Sequence, residues 1–81
     1  MAFSPDARAL LAGARGVGPT VISRLEQIGY STLAQLSEAS VTDITAQVAS
    51  MLGTPCWRNS PQARAAISAA INVAVSHRDV A

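Results

Sequence analysis

Residues 10–36 read LLAGARGVGPTVISRLEQIGYSTLAQL, and they contain the clearest structural signals in the chain. GVGP at residues 16–19 predicts a tight turn, because glycine accepts backbone angles that other residues avoid and proline suits the first turn of a helix. Apolar residues then recur at helical spacing as far as Ile28, and Gly29 is placed to end that helix in the left-handed conformation. The stretch therefore predicts two helices that meet at a glycine turn.

Serine–proline pairs on both sides of this stretch predict the outer helices. The pairs at residues 4–5 and 60–61 each combine a capping hydroxyl with a proline at the first helical position. The first pair opens a short helix that Gly13 ends, and the second opens a C-terminal helix over about residues 60–76. The apolar spacing of this last helix predicts the following buried face: Ala63, Ile67, Ala70, Ile71 and Ala74.

Two more helices are predicted between these elements. Serine or threonine at residues 31–32 can cap the first, which carries Leu33 and Leu36 on one face. Ser40, three residues before an aspartate, resembles a capping box at the start of the second. The second helix carries the following apolar stripe: Val41, Ile44, Val48 and Leu52. The sequence therefore predicts an all-α fold, a compact bundle of about five short helices without strands.

The length and composition indicate one small domain that spans residues 1–81. With 49% hydrophobic and 14% charged residues, the chain is too apolar to be a disordered tail. It has no apolar run long enough to span a bilayer and no basic-then-apolar leader, so we expect no membrane partner and a cytoplasmic location. The single cysteine, Cys56, excludes an internal disulfide and makes a cysteine-based metal site unexpected.

The sequence contains no combination of acid, base, nucleophile or metal ligand that is typical of a catalytic site. Cys56 beside Arg58 has no second cysteine or histidine placed to activate it, and His77 lies near the end of the chain. No carboxylate pair suggests general acid–base chemistry. We therefore expect a non-enzymatic protein without cofactor or metal. Trp57 is interpreted as a plug in the core, with stacking on a base as the alternative.

The glycine turn at residues 16–18 is the one element that suggests binding chemistry. Glycines leave backbone N–H groups uncovered, and the first N–H groups of the following helix have no partner within that helix. The helix dipole adds partial positive charge there, so the turn is suited to an anion such as phosphate. Val17 is expected to point inward as an anchor. The alternative is a helix–helix corner that uses glycine for steric reasons alone.

The turn and its flanks resemble the helix-hairpin-helix motif, through Leu10-Leu11, residues 16–19 and Leu25. Residues 28–44 are similar to the segment that commonly follows this motif in tandem helix-hairpin-helix domains and in the C-terminal domain of the bacterial RNA polymerase α subunit. Short bacterial proteins described as stand-alone helix-hairpin-helix or pathogenicity-locus proteins are also similar. The resemblance covers about residues 7–52 and implies a helix-hairpin-helix, SAM-like architecture.

In that family the hairpin commonly holds a DNA phosphate with little regard to base sequence. The resemblance implies the following phosphate contacts here: Gly16, Val17, Gly18, Thr20, Arg15 and Arg24. Arg58 and Arg64 lie outside the resemblance, near the start of the last helix, and are possible accessory residues that extend the positive charge of the hairpin, with surface solvation as the alternative. The chain departs from the family pattern at three positions. Arg15 stands where proline is usual before the first glycine, Thr20 where lysine is frequent, and Ile22 where a small alanine is favoured.

Two classes of function remain open at this point. The first is a DNA-binding module that uses roughly two to four phosphate contacts, for which a log–log salt slope of about −2 to −4 is expected. The formal net charge of only +1 predicts weak, non-specific binding. The alternative is a protein–protein interaction adaptor of the same fold, favoured by the low charge and the alanine-rich last helix. Either form is expected to be a monomer or a weak homodimer.

Overall fold

The computed structural model describes residues 2–79, and this part of the chain is all-helical, without strands. The six helices are α1 (Pro5–Ala12), α2 (Pro19–Gln27), α3 (Leu33–Ser37), α4 (Val41–Leu52), α5 (Cys56–Asn59) and α6 (Pro61–Ser76). The all-α prediction is therefore confirmed. None of the helices within residues 2–79 combines the length and the apolar character that crossing a bilayer requires.

The single-turn helix α5 is the element that the sequence did not predict. The break after α4 begins at Gly53, as expected, but the chain then turns once more before α6. The Asn59 N–H donates to the Pro55 carbonyl at 3.1 Å and closes this turn. The count of about five helices becomes six because one hydrogen-bonded turn carries too few residues to show a periodic pattern.

Hydroxyl caps begin four of the six helices. The side-chain oxygens of Ser4, Thr32, Ser40 and Ser60 each accept a hydrogen bond from the backbone N–H three residues further on, at 3.1–3.2 Å. Thr32 forms a full capping box with Gln35, whose side chain accepts the Thr32 N–H in return. These caps explain why short helices persist in a chain of this size, since each contributes about 1 kcal/mol.

Helix α6 forms the centre of the packing and contacts α1, α3, α4 and α5. Its buried face differs from the predicted one. Ile67, Ala70 and Ala74 are buried as expected, and Ala66 is buried with them, whereas Ala63 and Ile71 are only partly buried. The face is rotated toward Ala66 because that residue packs under the α1–α2 turn, a tertiary contact that periodicity alone does not reveal.

The apolar stripe of α4 and the side chain of Trp57 are buried to different extents. Ile44 and Val48 are fully buried, but Leu52, expected to continue the stripe, is 37% exposed because it lies in the last turn, beyond the packed part of the helix. Trp57 is half-buried and packs against the core. Its interpretation as a packing residue is therefore supported by its contacts.

A carboxylate on α2 holds the N-terminal segment in place. Glu26 Oε2 accepts the Phe3 N–H at 3.0 Å and a guanidinium N–H of Arg8 at 2.7 Å. Phe3 is only 4% exposed and belongs to the core. One side chain thus fixes both the entry of the chain and the relative position of α1 and α2.

Tyr30 joins the α2–α3 connection to α4. Burial raises the pKa of Tyr30 above its ordinary value of 10.0, and the negative charge of Asp43 on α4 acts in the same direction. A hydrogen bond with the Gln47 side chain opposes this rise. The neutral phenol is therefore the form that the folded state favours.

We expect replacement of Glu26 by alanine to lower the free energy of unfolding by about 1 kcal/mol, because a charge-assisted hydrogen bond to Phe3 and a partly exposed ion pair are lost together. Urea unfolding measures the effect. Glu38→Ala, which removes an exposed carboxylate at the C-cap of α3, is the matched control and should change stability little. Equal losses in both variants would contradict the role assigned to Glu26.

The raised pKa of Tyr30 predicts a loss of stability in alkaline solution. Below the unfolded-state pKa both states keep the phenolic proton. Above it the unfolded chain ionises first, so the free energy of unfolding falls as pH rises through the folded-state pKa. Urea unfolding of wild type and Tyr30→Phe at about pH 8 and about pH 11 tests this. The wild type should lose more stability than the variant, and parallel losses would rule the mechanism out.

Candidate nucleic-acid interface

The turn between α1 and α2 is anchored by its central valine. Val17 is 5% exposed and belongs to the core, and its N–H donates to the Ala14 carbonyl at 3.2 Å. Gly16 has a φ of 82°, in the region that favours glycine. The turn therefore requires glycine at residue 16 for its conformation, and Val17 serves it as an anchor.

The turn rests against the middle of α6. A Cβ atom built on Gly16 would lie 3.9 Å from both Cα and Cβ of Ala66, which is ordinary van der Waals contact. A larger side chain at Ala66 would push the turn outward. The turn at residues 15–20, called the hairpin from here on, therefore packs against the core and is not a free loop.

Gly18 leaves the first turn of α2 open. It is the N-cap residue, and no side chain makes a capping hydrogen bond there, in contrast to the hydroxyl-capped α1, α4 and α6. Its φ is −111°, which any residue adopts, and a Cβ would meet no atom within 4 Å. Neither backbone strain nor crowding requires a glycine at this position.

Several backbone donors consequently face outward at the hairpin. The N–H groups of Gly16 and Gly18 take no part in the backbone hydrogen bonds of the turn. Thr20, which is exposed, lies in the first turn of α2, where no earlier turn supplies a carbonyl. Of the nominated residues, these three offer free donors, whereas the Val17 N–H is already bonded.

The two nominated arginines near the hairpin occupy different places. Arg15 is exposed and lines a cleft of about 510 Å³ between the turn and α6. Arg24 is half-buried, and its Nη1 donates to Gln27 Oε1 at 3.0 Å, while its Nε is buried without a partner. The Arg24 guanidinium therefore lies at the C-terminal end of α2, where it complements the helix dipole. Arg15 is the cation that the fold brings to the hairpin.

The accessory arginines group with each other on a different part of the surface. Arg64 donates to the Arg58 carbonyl and to Thr42 Oγ1, each at 3.3 Å, so its guanidinium lies at the start of α4. Arg58 lines a shallow cleft against the last turns of α4. The part of α6 that borders the hairpin carries Gln62 and three alanines instead. The nominated arginines thus lie at separate places, with Arg15 at the hairpin, Arg24 at the end of α2, and Arg58 and Arg64 beside α4.

Gln62 is a residue that the sequence analysis did not nominate. It is exposed in the first turn of α6 and lines the same cleft as Arg15. No local pattern marks it, since its position depends on how α6 packs under the hairpin. The open cap at Gly18, in contrast, was detectable as the one helix start in the pattern with no serine or threonine before the proline.

The described residues contain no group of three or more side chains suited to hold a metal ion. Cys56 is exposed, and its Sγ accepts a hydrogen bond from Thr54 Oγ1 at 3.1 Å.

Comparison of the chain with models of known families, with curated proteins and with solved structures finds no match.

We expect opposite effects from substitutions at the two hairpin glycines. Gly18→Ser should raise the free energy of unfolding by a few tenths of a kcal/mol, because serine can cap α2 without strain. Gly16→Ala should lower it by about 1–2 kcal/mol, the cost of a positive φ for a residue with a Cβ. Chemical unfolding of both variants measures the difference. A loss at residue 18 as large as that at residue 16 would contradict the assigned geometries.

Proposed function

We propose that this protein is a nucleic-acid-binding module that contacts DNA phosphates through the hairpin at residues 15–20, with little regard to base sequence. The observation that carries the proposal is the glycine at the N-cap of α2. A hydroxyl residue would fit there and stabilise the helix, as it does at α1, α4 and α6. Glycine keeps the amides of this one turn available to an external anion.

The charge around the hairpin supports a phosphate as that anion. Arg15 is exposed beside the free amides, and it is absent from the salt bridge formed within the described residues. Backbone amides and an arginine together recognise phosphate oxygens without contacting base edges. With one nearby arginine and a formal net charge of +1, the binding is weak and strongly dependent on salt.

A protein–protein adaptor is the second candidate, and exposed apolar side chains favour it. Val75 on α6 is 52% exposed, and Met51 and Leu52 at the end of α4 are 41% and 37% exposed. Single exposed apolar residues are common on monomeric proteins, so this observation is less specific than the open cap. The two candidates predict different partners for different surfaces.

Titration of the ¹⁵N-labelled protein with a short DNA duplex at low salt tests the proposal. The amide signals of Gly16, Gly18 and Thr20 should shift together, and the shifts should fade as salt rises. Gly18→Ser should bind less tightly although it folds at least as well, because its hydroxyl competes for an α2 amide. Unchanged hairpin signals at low salt would refute phosphate binding there.

The arginines provide a second prediction of the same proposal. Arg15→Ala should weaken DNA binding about fivefold, or about 1 kcal/mol, and reduce the log–log salt slope by about 0.9. Arg24→Ala removes the same charge at the far end of α2 and should leave the slope nearly unchanged. Fluorescence anisotropy over a salt series measures both. A larger effect at Arg24 than at Arg15 would contradict the hairpin as the contact.

A further inference from the structure

Two of the clefts on the described part of the chain border the hairpin. The cleft between α1 and α2 has a volume of about 280 Å³ and is lined by Arg8, Ala12, Pro19, Ile22, Ser23 and Glu26. The cleft between the hairpin and α6 has a volume of about 510 Å³ and is lined by Arg15, Gly16, Gln62, Ala65, Ala66 and Ala69. A polynucleotide bound at the hairpin can extend along either of these surfaces, and their charges differ.

The two clefts differ in charge. In the α1–α2 cleft, the guanidinium of Arg8 is paired with Glu26 at 2.7 Å, so the cation is neutralised and a carboxylate remains on the wall. The α6 cleft has Arg15 on its rim and no carboxylate among its lining residues. A polyanion is therefore attracted more strongly to the α6 side than to the α1–α2 side.

The wall of the α6 cleft consists of small side chains with one arginine and one amide at its border. Ala65 and Ala69 are small, and they let a strand approach the helix closely. The lining offers no large apolar side chain or deep pocket, which are the features that anchor protein partners. Gln62 is exposed, and its side chain makes no hydrogen bond within the described part of the chain, so both its amide donors and its acceptor are available.

We infer that a polynucleotide held at the hairpin continues along the α6 cleft, where Gln62 and Arg15 contact its sugar–phosphate backbone beside the alanine wall. This inference rests on the proposed function and adds to it the path of the strand and one binding residue, Gln62.

A pair of matched variants tests the path. Ala65→Glu and Ser23→Glu each add one negative charge at an exposed helical position, the first in the α6 cleft and the second in the α1–α2 cleft. Binding of a fluorescein-labelled DNA duplex at low salt is followed by anisotropy, and circular dichroism verifies that both variants fold. Ala65→Glu should weaken binding about tenfold and Ser23→Glu less than about threefold, while Gln62→Ala should weaken it about threefold.

The remaining outcomes separate this inference from the proposed function. Equal effects of the two glutamates, or a larger effect of Ser23→Glu, would overturn the path while leaving the hairpin contact intact. The path is also overturned if DNA shifts the hairpin amides but not those of Ala65 and Ala69, as expected when the cleft serves a protein partner. A wild-type protein that fails to bind DNA at low salt would overturn both.

Discussion

The close approach of α6 to the rest of the bundle is the constraint on which the structure depends. Ala66, Ala70 and Ala74 present only methyl groups, so α1, α3 and α4 pack directly against the helix backbone around Ile67. A small domain buries only a limited share of its surface, so its stability depends on dense packing. Close contact of several helices with one central helix provides that packing. Larger side chains at these alanines would separate the layers and displace the hairpin that rests on them.

The hairpin combines a backbone that is held by the core with N–H groups that have no hydrogen-bond partner among the described residues. Val17 is held in the core and Gly16 lies against α6, so the backbone of the turn has little freedom. In the proposed function, this fixed arrangement of the unpaired N–H groups would lower the entropic cost of binding an anion.

Local signals predicted the helices well, whereas the placement of long side chains depended on tertiary packing. Serine–proline pairs and glycines mark helix ends through interactions a few residues apart, so the starts at Pro5, Pro19 and Pro61 were readable from the sequence. The single turn of α5 was too short to give a pattern. Arg24 turns toward Gln27 and Arg64 toward α4 because of neighbours that no spacing rule identifies. Gln62 could not be predicted for the same reason, because it lies beside the hairpin only once α6 has packed against it.

The contact between Gly16 and Ala66 joins the start of the chain to its last helix. During synthesis, α1 and α2 leave the ribosome long before α6 does, and until then the turn lacks its support. The nascent hairpin therefore exposes Val17 and the apolar faces of both helices, a state that invites non-specific association. Completion of the fold and the fixing of the α1–α2 turn are thus the same late event.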